Sequence, residues 1–366
     1  MNAYQGDFHN PTPVYLLTGF LGSGKTTLLN RMLRTDGPRT AVIVNEFGDV
    51  PIDNDLFGID GTASDLMETS TGCICCEPGN DIVSTLARLS EAIDEGKVGA
   101  VDRVVIETTG LADPAPIINQ MLAAASYSIA GRFFVLAGVV TTLDATKGEE
   151  TVAERLLAHK QLAFADRIAL TKADMLGQNA ATQRIALQNL IERVNPAAHL
   201  LDLSDALVQP EMLLSAGRYA PASHADVLTW LNAENPIAKA FGTTGASQWL
   251  PGNRHSNIYS KGMFIEGSLS PKQMTNFLDI LHRATGPRLL RLKGLVSLSD
   301  GPDRPMLYHT VQGVSHPPQR LDTWPSGDRR TRLVLIADGI DEQQLGKFLA
   351  TLETKPVKVK RRTFGW

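Results

Sequence analysis

The 366-residue chain holds only three cysteines, Cys73, Cys75 and Cys76, and all of them fall within four positions. No disulfide framework can be built from such a cluster, because a bridge between immediate neighbours is strained. The scarcity fits a reducing, cytoplasmic setting and turns the question to metal. No run approaches 18 uninterrupted apolar residues, so a membrane span is not expected. The opening residues 1–11 show neither the basic nor the apolar stretch of a secretory leader. A formal net charge of -4 excludes nucleic-acid binding through general basicity. Internal repeats and low-complexity tracts are also missing. Hydrophobic residues at 43% and charged residues at 20% leave an ordinary globular protein, long enough for two or three domains.

What is present begins with Val-Tyr-Leu-Leu-Thr-Gly-Phe-Leu-Gly-Ser-Gly-Lys-Thr-Thr at 14–27, a buried strand running into a complete G-x-x-x-x-G-K-[ST] loop and a helix. Gly19, Gly22 and Gly24 let the backbone curl so that its N–H groups, with that of Ser23, face phosphate oxygens. Lys25 is expected to reach the β/γ-phosphates, Thr26 to ligate Mg²⁺, and Thr27 to open the helix whose positive end lies under the anion. These residues predict a bound nucleoside triphosphate.

Short apolar runs at 14–18, 40–45, 103–107, 132–143 and 166–171 are spaced for βαβ units. Helices are expected at about 26–34, 80–95, 114–126, 149–164 and 180–194. The fold expected is α/β: a mostly parallel sheet in a P-loop domain over 12–205, a linker over 206–255, and a smaller α+β domain over 256–355.

Two further loops complete a nucleotide site. Strand 103–107 ends in Glu107-Thr108-Thr109-Gly110, which places a carboxylate where the Mg²⁺ shell needs one and a glycine N–H near the γ-phosphate. Strand 166–171 runs into Thr171-Lys172-Ala173-Asp174. Asp174 can accept from the guanine N1–H and 2-amino groups while the Lys172 stem packs along the ring. Asparagine is the usual first residue of such a loop, and Thr171 can make only part of its contacts.

The thiols of Thr71-Gly72-Cys73-Ile74-Cys75-Cys76 suit Zn²⁺ or Cu(I) better than Mg²⁺ or Ca²⁺. A closed structural zinc site takes four ligands, so the fourth must be His, Asp/Glu, water or a partner. Glu46, at the end of the strand taken to lie beside the P-loop strand, is the local supplement, with an ordinary surface acid as the alternative. Reduced thiols in a turn are the alternative for the cysteines. The histidines His255, His282, His309 and His316 read as singly placed, without ligand roles.

With these motifs the chain resembles the CobW-like family of P-loop GTPases, many of which are metal chaperones or metalloenzyme-maturation factors. The likeness runs through Gly19–Thr27, Asn45-Glu46-Phe47-Gly48, Cys73-Ile74-Cys75-Cys76, Glu107–Pro114 and Thr171–Asp174. In the second domain it includes Arg291-Leu292-Lys293-Gly294 and Val311-Gln312-Gly313-Val314. The resemblance implies Zn²⁺ on Cys73, Cys75 and Cys76, with GTP hydrolysis coupled to metal release toward a client metalloprotein. The histidine-rich stretch many members carry between domains is absent; only His224 and His255 stand there. Neither nucleic acid nor membrane is expected as a partner. Slow turnover is expected, since no residue reads as a general base or arginine finger. Cobalt or iron maturation, for a cobalamin pathway or nitrile hydratase, and a non-catalytic GTP-dependent metal sensor are the competing readings.

Overall fold

A computed structural model describes residues 11–33, 38–45, 66–68, 74–76, 82–125, 128–214, 257–325 and 327–352, with 45, 66–68 and 74–76 described by backbone alone. The first half alternates strand and helix. β1 (Thr12–Gly19), α1 (Lys25–Leu33), β2 (Thr40–Asn45), β3 (Leu66–Glu68) and β4 (Ile74–Cys76) lead into α2 (Ile82–Asp94) and β5 (Arg103–Thr108). α3 (Ala115–Ala124), β6 (Phe134–Asp144), α4 (Gly148–Glu154), α5 (Leu156–Phe164), β7 (Arg167–Thr171), α6 (Ala180–Val194) and β8 (His199–Asp202) complete it. Their sheet runs β3-β4-β2-β5-β1-β6-β7-β8, with every neighbouring pair parallel except β3–β4. Strands β1, β5, β6 and β7 are buried along nearly all of their length because helices cover both faces of the sheet.

The order corrects one expectation. β2 does not lie beside the P-loop strand; β5 stands between β1 and β2. It also places the cysteine segment, since Ile74–Cys76 is a strand and not a turn, paired to β2 through Ala41↔Ile74, Val42↔Cys75 and Ile43↔Cys76. The single helix expected over 149–164 is two, broken where Arg155 turns extended at φ -115° and ψ 104°.

The second half is a smaller α+β unit: β9 (Ile258–Ile265), α7 (Pro271–Thr285), β10 (Leu289–Val296), β11 (Met306–Val311), β12 (Val314–Ser315), β13 (Gln319–Arg320), β14 (Thr331–Asp338) and α8 (Glu342–Ala350). Its sheet is antiparallel, in the order β12-β11-β10-β14-β9. Both helices begin with capping boxes: the Ser270 and Asp341 side chains accept from the N–H groups of Gln273 and Gln344. One face of this sheet holds Leu292, Leu333 and Leu335 against Phe277, Leu281 and Leu345 of the helices.

The other face meets the first half of the molecule, so the two units share a core. Ile258, Leu290, Val311 and Ile336 join the cluster built from β1, β5, α3, α5 and α6. A buried ion cluster crosses the same boundary. Asp166, at the foot of β7, accepts from Arg291 at 2.5 Å and from Lys293 at 2.5 Å, all three being 2% exposed or less. The Arg291 guanidinium also donates to the carbonyls of Phe164 and Ala165. Burial by itself raises the Asp166 carboxyl, but the two cations outweigh it and hold it below the usual carboxylate range. Burial, then Arg291, lowers Lys293 to about 7 against the opposing pull of Asp166.

Candidate nucleotide site

The P-loop leaves β1 at Gly19, whose φ of 144° and close approach to Thr142 exclude any side chain. The loop is tied down from three directions. Ser23 Oγ meets Thr142 Oγ1 at 2.6 Å, the Thr171 hydroxyl donates to the Ser23 carbonyl at 2.8 Å, and Lys172 Nζ donates to the Gly22 carbonyl at 2.7 Å. Thr171 therefore uses its hydroxyl to join the loop after β7 to the P-loop. Lys172 adopts a left-handed φ of 56°, a strained conformation held by its second bond to Asp144 at 2.6 Å. Asp174 stands exposed on the turn that follows.

Lys25 opens α1 and is nearly buried. Its Nζ donates to the Gly19 carbonyl at 3.0 Å and to that of Phe20 at 3.4 Å. The Thr26 hydroxyl donates to Glu107 Oε1 at 2.8 Å across from β5. A hydroxyl and a carboxylate converging at a P-loop are the hard oxygen donors Mg²⁺ prefers, so the residues present fit that ion. Thr27 is exposed on the first turn of α1. Gly110 lies against the P-loop so closely that a Cβ there would meet the Leu21 backbone N at 2.6 Å.

Three contributors were not singled out in the sequence: Thr142, Asp144 and Gln161. Gln161, fully buried on α5, donates through Nε2 to the carbonyls of Gly110 at 3.3 Å and Ala112 at 3.1 Å. A lone glutamine in an apolar helix gives little warning of such a role.

Glu46 and Cys73 lie outside the described residues, as does the stretch holding His224 and His255; Cys75 and Cys76 are described by backbone only. Among the described residues no group of three His, Cys, Asp or Glu side chains could hold a metal ion. Of the second unit's histidines, His309 and His316 are not singly placed. His309 and His316 have ring centroids 6.1 Å apart, and His282 Nε2 meets Ser315 Oγ at 3.0 Å. Burial first, and then Arg291 and Lys293, push His309 well below the usual imidazole range. No described helix is long and apolar enough to cross a membrane.

Residues 13–202 match the profile of the CobW/HypB/UreG nucleotide-binding domain, and residues 262–353 that of the cobalamin synthesis protein CobW C-terminal domain. The chain is 30% identical over 336 residues to the zinc chaperone YjiA of Escherichia coli, covering 90% of this chain and 95% of that one. It is 28% identical over 360 residues to the zinc chaperone CobW of a Sinorhizobium species, covering 88% and 92%. A crystal structure of the Zn(II)-bound YjiA GTPase from E. coli superposes with a TM-score of 0.71 at 27% identity, covering 94% of this chain and 100% of that one. Two matched domains in the right order, around a P-loop with its Mg²⁺-type oxygen donors assembled, place this chain in the CobW/HypB/UreG family.

Proposed function

We propose that the protein is a GTP-hydrolysing metallochaperone that takes up Zn²⁺ through Cys73, Cys75 and Cys76, with Glu46 as a further ligand, and passes it to a client metalloprotein. The observation that carries this reading is a register. β2 pairs Val44 with Glu107 on one side and Ile43 with Cys76 on the other. The strand bearing the Mg²⁺-type carboxylate and the strand bearing the thiols thus flank one common strand, with Glu107 and Cys76 about two strand spacings, ~10 Å, apart along the backbone. Movement of β5 or β2 on loss of the γ-phosphate is felt at the cysteine strand directly.

The remaining parts have assigned work. Thr26 and Glu107 would hold Mg²⁺, which would supply neutralisation of charge on the transferring phosphoryl group. Lys25 leaves the Gly19 and Phe20 carbonyls for the phosphates, and the N–H groups from Gly22 to Thr27 cradle them. The Gly110 N–H reports the γ-phosphate. Lys172 and Asp174 select guanine, and Thr171 holds their loop to the P-loop. Intrinsic turnover is slow. The zinc chaperones YjiA and CobW, similar over nearly their whole length, support the choice of metal.

The test is a Zn²⁺ titration of the protein loaded with a non-hydrolysable GTP analogue or with GDP. Affinity should be higher with the analogue by ~5–100-fold, a coupling of about 1–3 kcal/mol. Glu46→Ala should shrink that ratio more than it lowers affinity in the GDP form. Equal affinities in the two states would leave nucleotide and metal uncoupled and end the metal-transfer reading.

A further inference from the structure

One short stretch of α5 is tied to two distant parts of the molecule. On the nucleotide side, Gln161 Nε2 donates to the carbonyls of Gly110 at 3.3 Å and Ala112 at 3.1 Å. Turning the amide over would set its oxygen against two carbonyl oxygens, so the orientation is fixed by chemistry. The preceding Lys160 reaches Asp113 of the same loop at 3.2 Å. That loop has no room to move toward the P-loop, since a Cβ on Gly110 would meet the Leu21 backbone N at 2.6 Å.

The C-terminal end of the stretch is held partly by the second unit. The last carbonyls of a helix find no partner within it. Here those of residues 161–165 all receive side-chain donors. Thr141 Oγ1 donates to Gln161 at 2.9 Å, and Asn195 Nδ2 donates to Leu162, Ala163 and Ala165 at 2.8, 3.1 and 2.8 Å. Arg291, from β10, donates to Phe164 and Ala165, while a second nitrogen of its guanidinium binds Asp166. Bonding carbonyls and a carboxylate together uses the planar fork that lysine lacks. Phe164 lies three residues after Gln161, about one helical turn. Gln161 is fully buried and Arg291 is 2% exposed, so water cannot take over a bond that either one loses.

We propose that Arg291 is a positioning residue of the nucleotide site: it fixes the end of α5 so that Gln161 sets the Gly110 loop. The inference rests on the GTP reading above, in which Gly110 faces the γ-phosphate. The second unit thereby takes part in telling GTP from GDP, although Arg291 binds helix carbonyls and a carboxylate and not the nucleotide.

The test is a competition titration of the full chain that gives the affinity ratio of a non-hydrolysable GTP analogue to GDP, beside the denaturant unfolding midpoint. GDP has no γ-phosphate for the Gly110 loop to meet, so a displaced loop weakens the analogue and spares GDP. Gln161→Met, close in size but without the amide donor, should lower the ratio by about 5–10-fold. Arg291→Met should lower it by at least about 3-fold. Arg291→Lys, which keeps a charge for Asp166 but not the fork, should do the same and carries the test if Arg291→Met does not fold. Combining Gln161→Met with Arg291→Met should lower the ratio no further than Gln161→Met alone, because both act through one contact. Ser270→Ala, which removes the capping bond of α7, should lower the unfolding midpoint and leave the ratio unchanged. An unchanged ratio in the Arg291 variants, or additive losses in the double variant, would remove Arg291 from the nucleotide site. An unchanged ratio in Gln161→Met would overturn the loop contact on which its role depends. An equal fall in Ser270→Ala would reduce the effect to lost stability and overturn it as well. Each of these failures leaves the GTP reading standing, whereas a wild type that binds neither nucleotide condemns that reading and this inference with it.

Discussion

The two ends of β7 do opposite things with charge. At its C-terminal end, Thr171 and Lys172 bind carbonyls of the P-loop, and the neighbouring Lys25 and Thr26 bind groups that, on the proposed function, they release to a phosphate and a metal ion. At its N-terminal end, Asp166 is sealed between Arg291 and Lys293, and its own backbone N–H and C=O are taken by Val139 and His199. Polar groups meant to change partners are kept beside a loop whose Gly22 and Thr26 reach water, which can replace a lost bond. Those that fix one unit on the other are kept where nothing can.

Breaking the buried end should have the largest effect. Asp166→Ala leaves two cations inside without their carboxylate, and the expected loss is about 3–5 kcal/mol in denaturant unfolding. The charge should matter more than the packing, so Asp166→Asn should recover only part of the loss. Lys25→Ala tests the open end. Hydrolysis should fall by about 10²–10³-fold or more and nucleotide binding should weaken severely, while the unfolding midpoint barely moves. Near wild-type turnover in a folded Lys25→Ala protein would sink the phosphate role.

The third prediction concerns pH. His159 is buried on α5, and burial followed by Arg193 lowers it to about 4. The unfolded chain therefore binds a proton that the native state refuses between roughly pH 6.5 and 4. Stability should fall as pH drops through that window, with His159 supplying on the order of 3 kcal/mol. His159→Gln should flatten the acid limb of the stability curve, and an unchanged limb would place the acid sensitivity elsewhere. The smallest effect is expected at the exposed Asp174. Asp174→Asn should relax the GTP-over-ATP preference by about 10–100-fold in competition binding, with no change in stability.

Much of the nucleotide end was legible because each of its functions needs a fixed residue at a fixed spacing. Glycines curl the loop, and strand tips carry Glu107 and Thr171-Lys172. The cysteine strand was not legible, because three residues, Ile-Cys-Cys, are too few to show a period; β2 supplies the pairing that makes them a strand. The break at Arg155 left no glycine or proline to announce it. The burial of Arg291 and Lys293 was not legible for a different reason. Charges alternating with an apolar residue do not reveal what covers the charged face, and here it is covered by another unit carrying Asp166. Gln161 was invisible because its partners are main-chain carbonyls, which no side-chain pattern reports.

The shared core has a consequence for how such a chain can be rearranged in evolution. A second unit bound by exposed loops could be lost, duplicated or exchanged between proteins at little cost. This one supplies Ile258, Leu290, Val311 and Ile336 to its neighbour's interior and neutralises a carboxylate there. A substitute would have to arrive with apolar residues and a pair of cations already at matching positions on its sheet. The two halves are therefore constrained to be inherited together, and variation is left to the loops at the nucleotide end and to the edges of the sheets.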